Sequence, residues 1–252
     1  MAILGTAPAP APTTGYTLLL TDEAPHVAAA QCLRARQQHG DPTAAGLDTD
    51  DLDSYCDHLV VRHDGTGEIV AACRVLPPPA AARAGQRDAD AAFDLRRLEG
   101  LRSHLVEAGR SCVHPAHRHG AVLDLLWAGV VRYLHLHGLR WLGAVVPVPL
   151  SGGVAPAAAV WRAAAARHYA PAAMRVHPWR PWLAVPGVAA AVAAADPGQA
   201  AMPALLRGYL RLGGWVCGEP AHDARGSAAT LYVLLAVDRI APRYRRHLLG
   251  GD

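Results

Sequence analysis

Phenylalanine is almost missing: the 252-residue chain has one Phe against six Trp and seven Tyr. Apolar residues still make up 52% of it, which excludes a disordered polypeptide and allows a sizeable core. There are five cysteines, Cys32, Cys56, Cys73, Cys112 and Cys217. Their number is odd and no two form a CxxC pair, so they read as reduced thiols of a cytosolic protein. The opening MAILGTAPAPAPTTG has no basic stretch leading into a long apolar run, so no secretory signal is expected. Residues 1–14 read instead as a flexible Pro/Ala tail. The longest apolar run, WLAVPGVAAAVAAA (182–195), is too short for a membrane span and contains Pro186. An excess of one charge is lacking too. With 24 Lys and Arg against 21 Asp and Glu the net charge is +3, and no basic face marks a nucleic-acid binder. No internal repeat, no GxSxG elbow of a serine hydrolase and no HExxH metal motif occurs.

What is present is a succession of strand and helix signals. YTLLL (16–20) predicts a strand, and residues 22–40 a helix that Asp22 caps and Gly40 closes. An acidic, turn-rich loop follows over 41–55. CDHLVVRH, DGTG and EIVAACRVLP (56–77) predict a hairpin, two apolar runs around an Asp-Gly turn. Residues 78–94 read as a low-complexity loop. HLVEAGRSCV (104–113) predicts a strand, 121–138 a helix and 139–148 a buried strand, a βαβ-like unit. Further helices are expected over 156–169 and 202–214, and a last strand over 229–240. The Pro- and Trp-rich stretch 170–200 has no clear period. The class is mixed α/β with one main sheet.

The loop HPAHRHGAV (114–122) sits between a strand and a helix. Its three histidines invite a metal reading, but Pro115 and Arg118 lie among them and no Cys pair supports it, so no metal is expected. An anion suits the loop better. Backbone N–H groups at a helix start are unsatisfied, the helix dipole is positive there, Arg118 adds charge, and Gly120 lets the backbone approach closely. A pyrophosphate or a phosphopantetheine phosphate has that chemistry.

A strand, an R-x-G-type loop, a helix and a further strand resemble the acyl-CoA-binding core of the GNAT superfamily. The blocks DSYCDHLVV, CRVL, FDLRRL, EAGRSCVHPAHRHGAVLDLLWAGVVRYL, LLRGYLRLGGWVCGEPAHD and LYVLLAVDRIAPRYRRHLL narrow it. They resemble the ornithine-lipid-forming N-acyltransferases, which are related in fold to acyl-homoserine-lactone synthases. The resemblance implies a single GNAT-like domain over 15–252, a mixed sheet flanked by helices. It also implies a cytoplasmic acyltransferase moving a 3-hydroxyacyl group from acyl carrier protein to the α-amine of ornithine, giving lyso-ornithine lipid. The superfamily's longer glycine signature is shortened here to Arg118, His119, Gly120 and Ala121, which would hold the donor. A donor drawn from acyl-CoA, another amino-acid or amine acceptor, and a non-catalytic module binding an acyl thioester stand as alternatives.

Amide formation from a thioester needs a deprotonated amine, a polarised carbonyl and both reactants held close. Glu107 is the candidate to assist deprotonation, with Arg110 beside it; a structural ion pair between the two is the plainer reading. Strand alternation puts them on one face only if a bulge intervenes, and the GNAT resemblance implies a bulge in this strand. Arg74 can fork onto the acceptor's carboxylate, or be a surface charge. Asp57 is the candidate for a cationic acceptor side chain, ahead of Asp48, Asp50, Asp51 and Asp53, which read as a solvated run. Glu219 lines an acceptor site or a turn. Arg34 and Arg36 read as carrier-facing or simply solvated. Cys112 with His114 as base is a weaker acyl-enzyme candidate. Trp161, Trp179 and Trp182, and the basic RYRRHLL (243–249), allow peripheral membrane or carrier contact, or plain core and a solvated end.

Overall fold

Short apolar runs bounded by turn residues set the main strands, and longer Ala-, Leu- and Val-rich stretches the helices. The structure, a computed structural model, describes residues 15–39, 46–118, 120–223 and 226–249. In chain order it has β1 (Tyr16–Thr21), α1 (Ala24–His39), β2 (Asp57–His63), β3 (Ile69–Leu76), α2 (Pro78–Ala84) and β4 (Phe93–Asp94). Then come β5 (Leu105–Val113), α3 (Gly120–Leu136), β6 (Trp141–Pro149), α4 (Val154–His168), β7 (His177–Pro178) and α5 (Val188–Ala194). The chain ends with α6 (Ala204–Arg211), β8 (Trp215–Val216), β9 (Ala221–His222), β10 (Ala228–Ala236) and α7 (Pro242–Leu249). The tail expected over 1–14 lies outside the described residues.

The chain packs as two units, one from the described parts of 1–85, 106–140 and 241–252, the other from those of 86–105 and 141–240. In the first, β1, β2, β3 and β5 pair antiparallel in that order. Helix α1 covers one face, where Ala30 meets Val60 and Ala72. Helix α3 covers the other, and Gly129 is what lets it come close. A Cβ there would lie 3.0 Å from Leu18 Cδ2 and 3.2 Å from Leu59 Cδ2. Cover on both faces explains why β2 and β3 read as almost continuous apolar runs rather than alternating ones. Helix α3 is buried on several sides because α7 packs on it as well, seating Leu248.

In the second unit β10, buried along its whole length, pairs with β6 from Ala228↔Pro149 to Ala236↔Trp141, and with β8 and β9. The lone Phe93 is spent in its core, 1% exposed and 5.9 Å from the Tyr232 ring. The stretch 170–200 supplies β7, which pairs with β4, and α5, which packs on α4. Where 78–94 was expected to be loop, α2 forms. Pro78 stands in its first turn, Gly85 ends it at φ 68°, and Ala80 and Ala81 pack with Leu52 and Leu76. Low complexity concealed a helix with ordinary stop and start signals.

Candidate active site

The site begins with one irregular residue in β5. The pairing with β3 runs Leu76↔Glu107, Val75↔Ala108 and Arg74↔Gly109, then resumes at Ala72↔Cys112. Cys73 therefore faces two residues, Arg110 and Ser111, which is a β-bulge. Ser111 Oγ donates to Cys73 Sγ at 3.2 Å. Arg110 has φ +51°, and no other described non-glycine residue has positive φ. An L-residue held there costs on the order of 1–3 kcal/mol, so the surroundings must impose it.

They do so through carboxylates from the acidic loop. Arg110 Nη1 donates to Asp48 Oδ1 at 3.2 Å and Oδ2 at 3.1 Å, and its Nη2 to Asp50 Oδ2 at 2.8 Å. Arg74, 2% exposed, donates to Asp50 and, at 3.0 Å, to Asp53. Arg34 of α1, 4% exposed, forks onto Asp53 at 3.0 and 2.7 Å and meets Asp48 at 3.4 Å. Gln31 adds a bond to Asp53 at 3.0 Å. Three arginines and three aspartates thus interlock, and the run read as solvated is a clamp between α1, β3 and the bulge of β5. Burial pushes the Asp53 carboxyl up, but bonds and charge from Arg34, then Arg74 and Gln31, outweigh it and hold the group well below the carboxylate range. Asp50 is lowered against the same burial by Arg74 and Arg110.

Beside the clamp a cavity of about 150 Å³ is lined by Arg34, Gln37, Asp48, Arg110, Ser111 and Cys112. It holds a cation and a carboxylate at one mouth, which suits a small zwitterion. Arg110 keeps 31% of its side chain exposed, so it reaches the cavity while Arg74 is enclosed. Cys112 is a poor nucleophile, since burial pushes its thiol up to about 12.

Sequence reading named Arg74 and Arg110 for the site, took Arg34 as carrier-facing or solvated and Asp48, Asp50 and Asp53 as a solvated run, and missed Gln31, Gln37 and Ser111. No sequence signal singled them out, because Arg34 lies among Gln31, Arg36 and Gln37 on a polar helix stretch and the aspartates read as any acidic loop would. Of the other named residues, Glu107 is buried at 3% and shares the Arg74 and Gly109 side of the β3–β5 pairing. Asp57 lies at the start of β2, where it accepts the Tyr133 hydroxyl at 2.6 Å. Burial, then that carboxylate, pushes the phenol up. Glu219 is an exposed residue of the second unit. Its neighbour Asp223 caps a turn, accepting from Ser227 Oγ at 2.7 Å and Ala228 N at 3.0 Å.

At the anion loop, Arg118 is exposed and donates to Gln37 and, at 3.3 Å, to the Val113 carbonyl. Gln37 also donates to that carbonyl at 3.1 Å, so one α1 side chain touches both the cavity and the loop. Gly120 opens α3 with nothing within 4 Å of where a Cβ would stand, and Ala121 follows it in the first turn. His119 lies outside the described residues. His117 Nδ1 bonds the Tyr16 hydroxyl at 2.8 Å, and His114 Nδ1 accepts from Ala116 N at 3.3 Å. Among the described residues no three His, Cys, Asp or Glu side chains are grouped to hold a metal ion. No described helix is long and apolar enough to cross a membrane.

Known proteins resemble this chain in sequence and in fold. Residues 32–128 fit the family model of the acetyltransferase (GNAT) domain. The chain is 33% identical over 235 residues to an L-ornithine N(alpha)-acyltransferase of Rhodobacter capsulatus, covering 87% of this chain and 89% of that one. A protein of the same name from Brucella abortus is 29% identical, covering 78% and 73%. Among solved structures, a CoA-dependent acyl-homoserine lactone synthase with SAM and isopentyl-CoA aligns at TM-score 0.51 and 13% identity, covering 94% and 90%. The synthase LasI aligns at 0.50 and 13%, covering 94% and 95%.

Proposed function

The chain belongs to the family of L-ornithine N(alpha)-acyltransferases and is an N-acyltransferase of GNAT-like fold, a mixed sheet flanked by helices; from that premise we propose that it acylates the α-amine of ornithine with a 3-hydroxyacyl group from acyl carrier protein, giving lyso-ornithine lipid. The family resemblance read from the sequence blocks holds. The donor, the product and the residue roles that follow are our reading.

The observation that carries it is the cavity with Arg110 and Asp48 at the bulge. Ornithine is a small zwitterion with one carboxylate and a second, cationic amine. Arg110 binds the α-carboxylate, keeping one carboxylate partner as it does so. Asp48 faces the δ-ammonium, a role for which Asp57 is already engaged by Tyr133. Arg74 acts through Asp50 and Asp53 to set the position of Arg110 rather than by touching the acceptor. The α-amine has a pKa of about 8 and needs only modest help to lose its proton, which Glu107 gives through water. The bulge leaves a residue of β5 outside the regular ladder, and an N–H there polarises the thioester carbonyl. The amine attacks that carbon, the C–N bond forms, and the C–S bond breaks to release the carrier thiol. Arg118, Gly120, Ala121 and the first N–H groups of α3 hold the donor's phosphate.

The test is a mass-spectrometric acceptor screen with 3-hydroxyacyl carrier protein and, separately, acyl-CoA as donors against a panel of amino acids. Acyl-ornithine formed from the carrier donor is expected. Acylation of a different acceptor, turnover from CoA alone, or no product at all overturns the assignment.

A further inference from the structure

Three tryptophans lie close in sequence to a run of arginines, and the structure separates them. Trp161 and Trp182 are core residues, 7% and 1% exposed. Trp179 is 58% exposed, further out than the exposed Leu47, Tyr55 and Leu136. An indole left in water needs a reason, because burying it is worth more than burying most side chains. It is not loosely tethered. Its backbone N–H donates to the Ala92 carbonyl at 2.9 Å and its Nε1 to the Asp90 carbonyl at 3.0 Å, and Pro178 and Pro181 stiffen the chain on either side. The ring is held outward.

Its surroundings carry both signs: the turn that its Nε1 meets bears Asp88 and Asp90, while Arg180 follows it in the chain and Arg96 and Arg97 follow the partner strand β4. The pairing Asp94↔His177 brings His177 beside the Arg96–Arg97 pair. A cavity of about 440 Å³ lined by Asp94, Arg96, Arg97 and His177 opens there. Asp94 is engaged bidentately by Arg96, and Glu99 by Arg102 at 2.8 Å. Arg97 and Arg180 have no carboxylate partner among the described residues, and both are exposed with His177.

We propose that Trp179 and the Arg97, His177 and Arg180 around it form a docking surface for an anionic membrane. A rigid, amphipathic indole inserts at the level of lipid headgroups, and guanidinium groups without a carboxylate partner meet headgroup phosphates, one of which the cavity can seat. The purpose of the surface rests on the reading above, since a lyso-lipid product must leave water for a bilayer; the surface itself rests on geometry.

Vesicle sedimentation tests it, with phosphatidylcholine vesicles and vesicles that also contain phosphatidylglycerol. The full-length protein binds the anionic vesicles and not the neutral ones. Trp179→Ala weakens that binding about tenfold or more and Trp179→Phe by less, because a benzene ring still buries apolar area. Arg97→Gln and Arg180→Gln each weaken it about fivefold. Turnover with soluble donor and acceptor is unchanged in all four, which shows they are folded. Equal binding of Trp179→Ala and wild type overturns the proposal. So does loss of binding on Arg245→Gln with Arg246→Gln but not on Trp179→Ala, which would place contact at α7. A raised KM for the carrier-bound donor with vesicle binding intact would make the patch a protein interface instead. Binding needs no turnover, so failure of the ornithine reading leaves it testable.

Discussion

The chain uses the same ion pair in two settings. Around β5, Asp48, Asp50 and Asp53 interlock with Arg34, Arg74 and Arg110, and two of those arginines are 4% and 2% exposed. In the other unit Asp94 grips Arg96 through its Nε and Nη2 at 2.9 and 2.6 Å, with the arginine 86% exposed. The second pair has the better isolated geometry and the lesser consequence. Water solvates Arg96 whether or not Asp94 is there, so little depends on the pair. Arg34 and Arg74 have given up that water, and the aspartates are what make their burial tolerable. Enclosure, not bond length, decides what an ion pair does.

The largest effect that this contrast predicts is on stability. Asp53→Ala leaves two buried arginines undercompensated and should cost about 3–5 kcal/mol, read as a lowered urea midpoint. Asp94→Ala should leave the midpoint where it is; equal shifts in the two would erase the distinction. Next comes Arg110. Arg110→Ala should lower kcat/KM about a hundredfold, through both acceptor binding and the bulge. Arg110→Gly should lose the same activity while unfolding closer to wild type, because glycine adopts φ +51° without strain. If alanine and glycine unfold alike, the positive φ is not held under strain. Arg118→Ala should raise the donor KM about tenfold with kcat nearly kept, since a lost charge-assisted bond is worth about 1.5 kcal/mol.

The smallest effect is the pH profile. Asp50 and Asp53 are lowered in the fold from an ordinary 3.8, so their stabilisation is complete above that value and is lost as pH falls below it. Asp94, set chiefly by its bonds from Arg96, is lowered to about 2, in the same direction but through a partner that stands in water. His58 is 4% exposed and lowered from 6.5, chiefly by burial, so it favours folding when neutral. Its contribution is present above pH 6.5 and declines as pH falls through it. Acid titration of stability should therefore begin gently near pH 6.5 and steepen below 4. His168 is lowered by burial too, so His58→Gln should shrink the first stage without abolishing it, and a wild-type profile flat down to pH 4 would refute both histidine contributions.

Much of the fold was legible because it is local. The hairpin at 56–77 announced itself by two apolar runs around Asp64 and Gly65, and β2 and β3 lie within a residue or two of those runs. Helix α3 carries the predicted stripe of Val122, Leu125, Leu126, Gly129, Val130 and Tyr133. The clamp was not legible. A solvated acidic loop and one that neutralises buried arginines have the same composition, and Asp48 meets Arg110 across 62 positions. Nor does any pattern distinguish the buried Trp182 from the exposed Trp179 three residues earlier.

The sequence by itself determined the longer strands and helices, the hairpin and the family, though not α2 or the elements of 170–200, because backbone period and motif spacing are properties of neighbouring residues. Only the tertiary structure decided which charges are enclosed, that Arg110 is turned into the Asp48–Asp50 pair, and that one tryptophan faces water. Those outcomes depend on which distant side chains exclude solvent from a group, and burial is a property of the packed chain rather than of the residue.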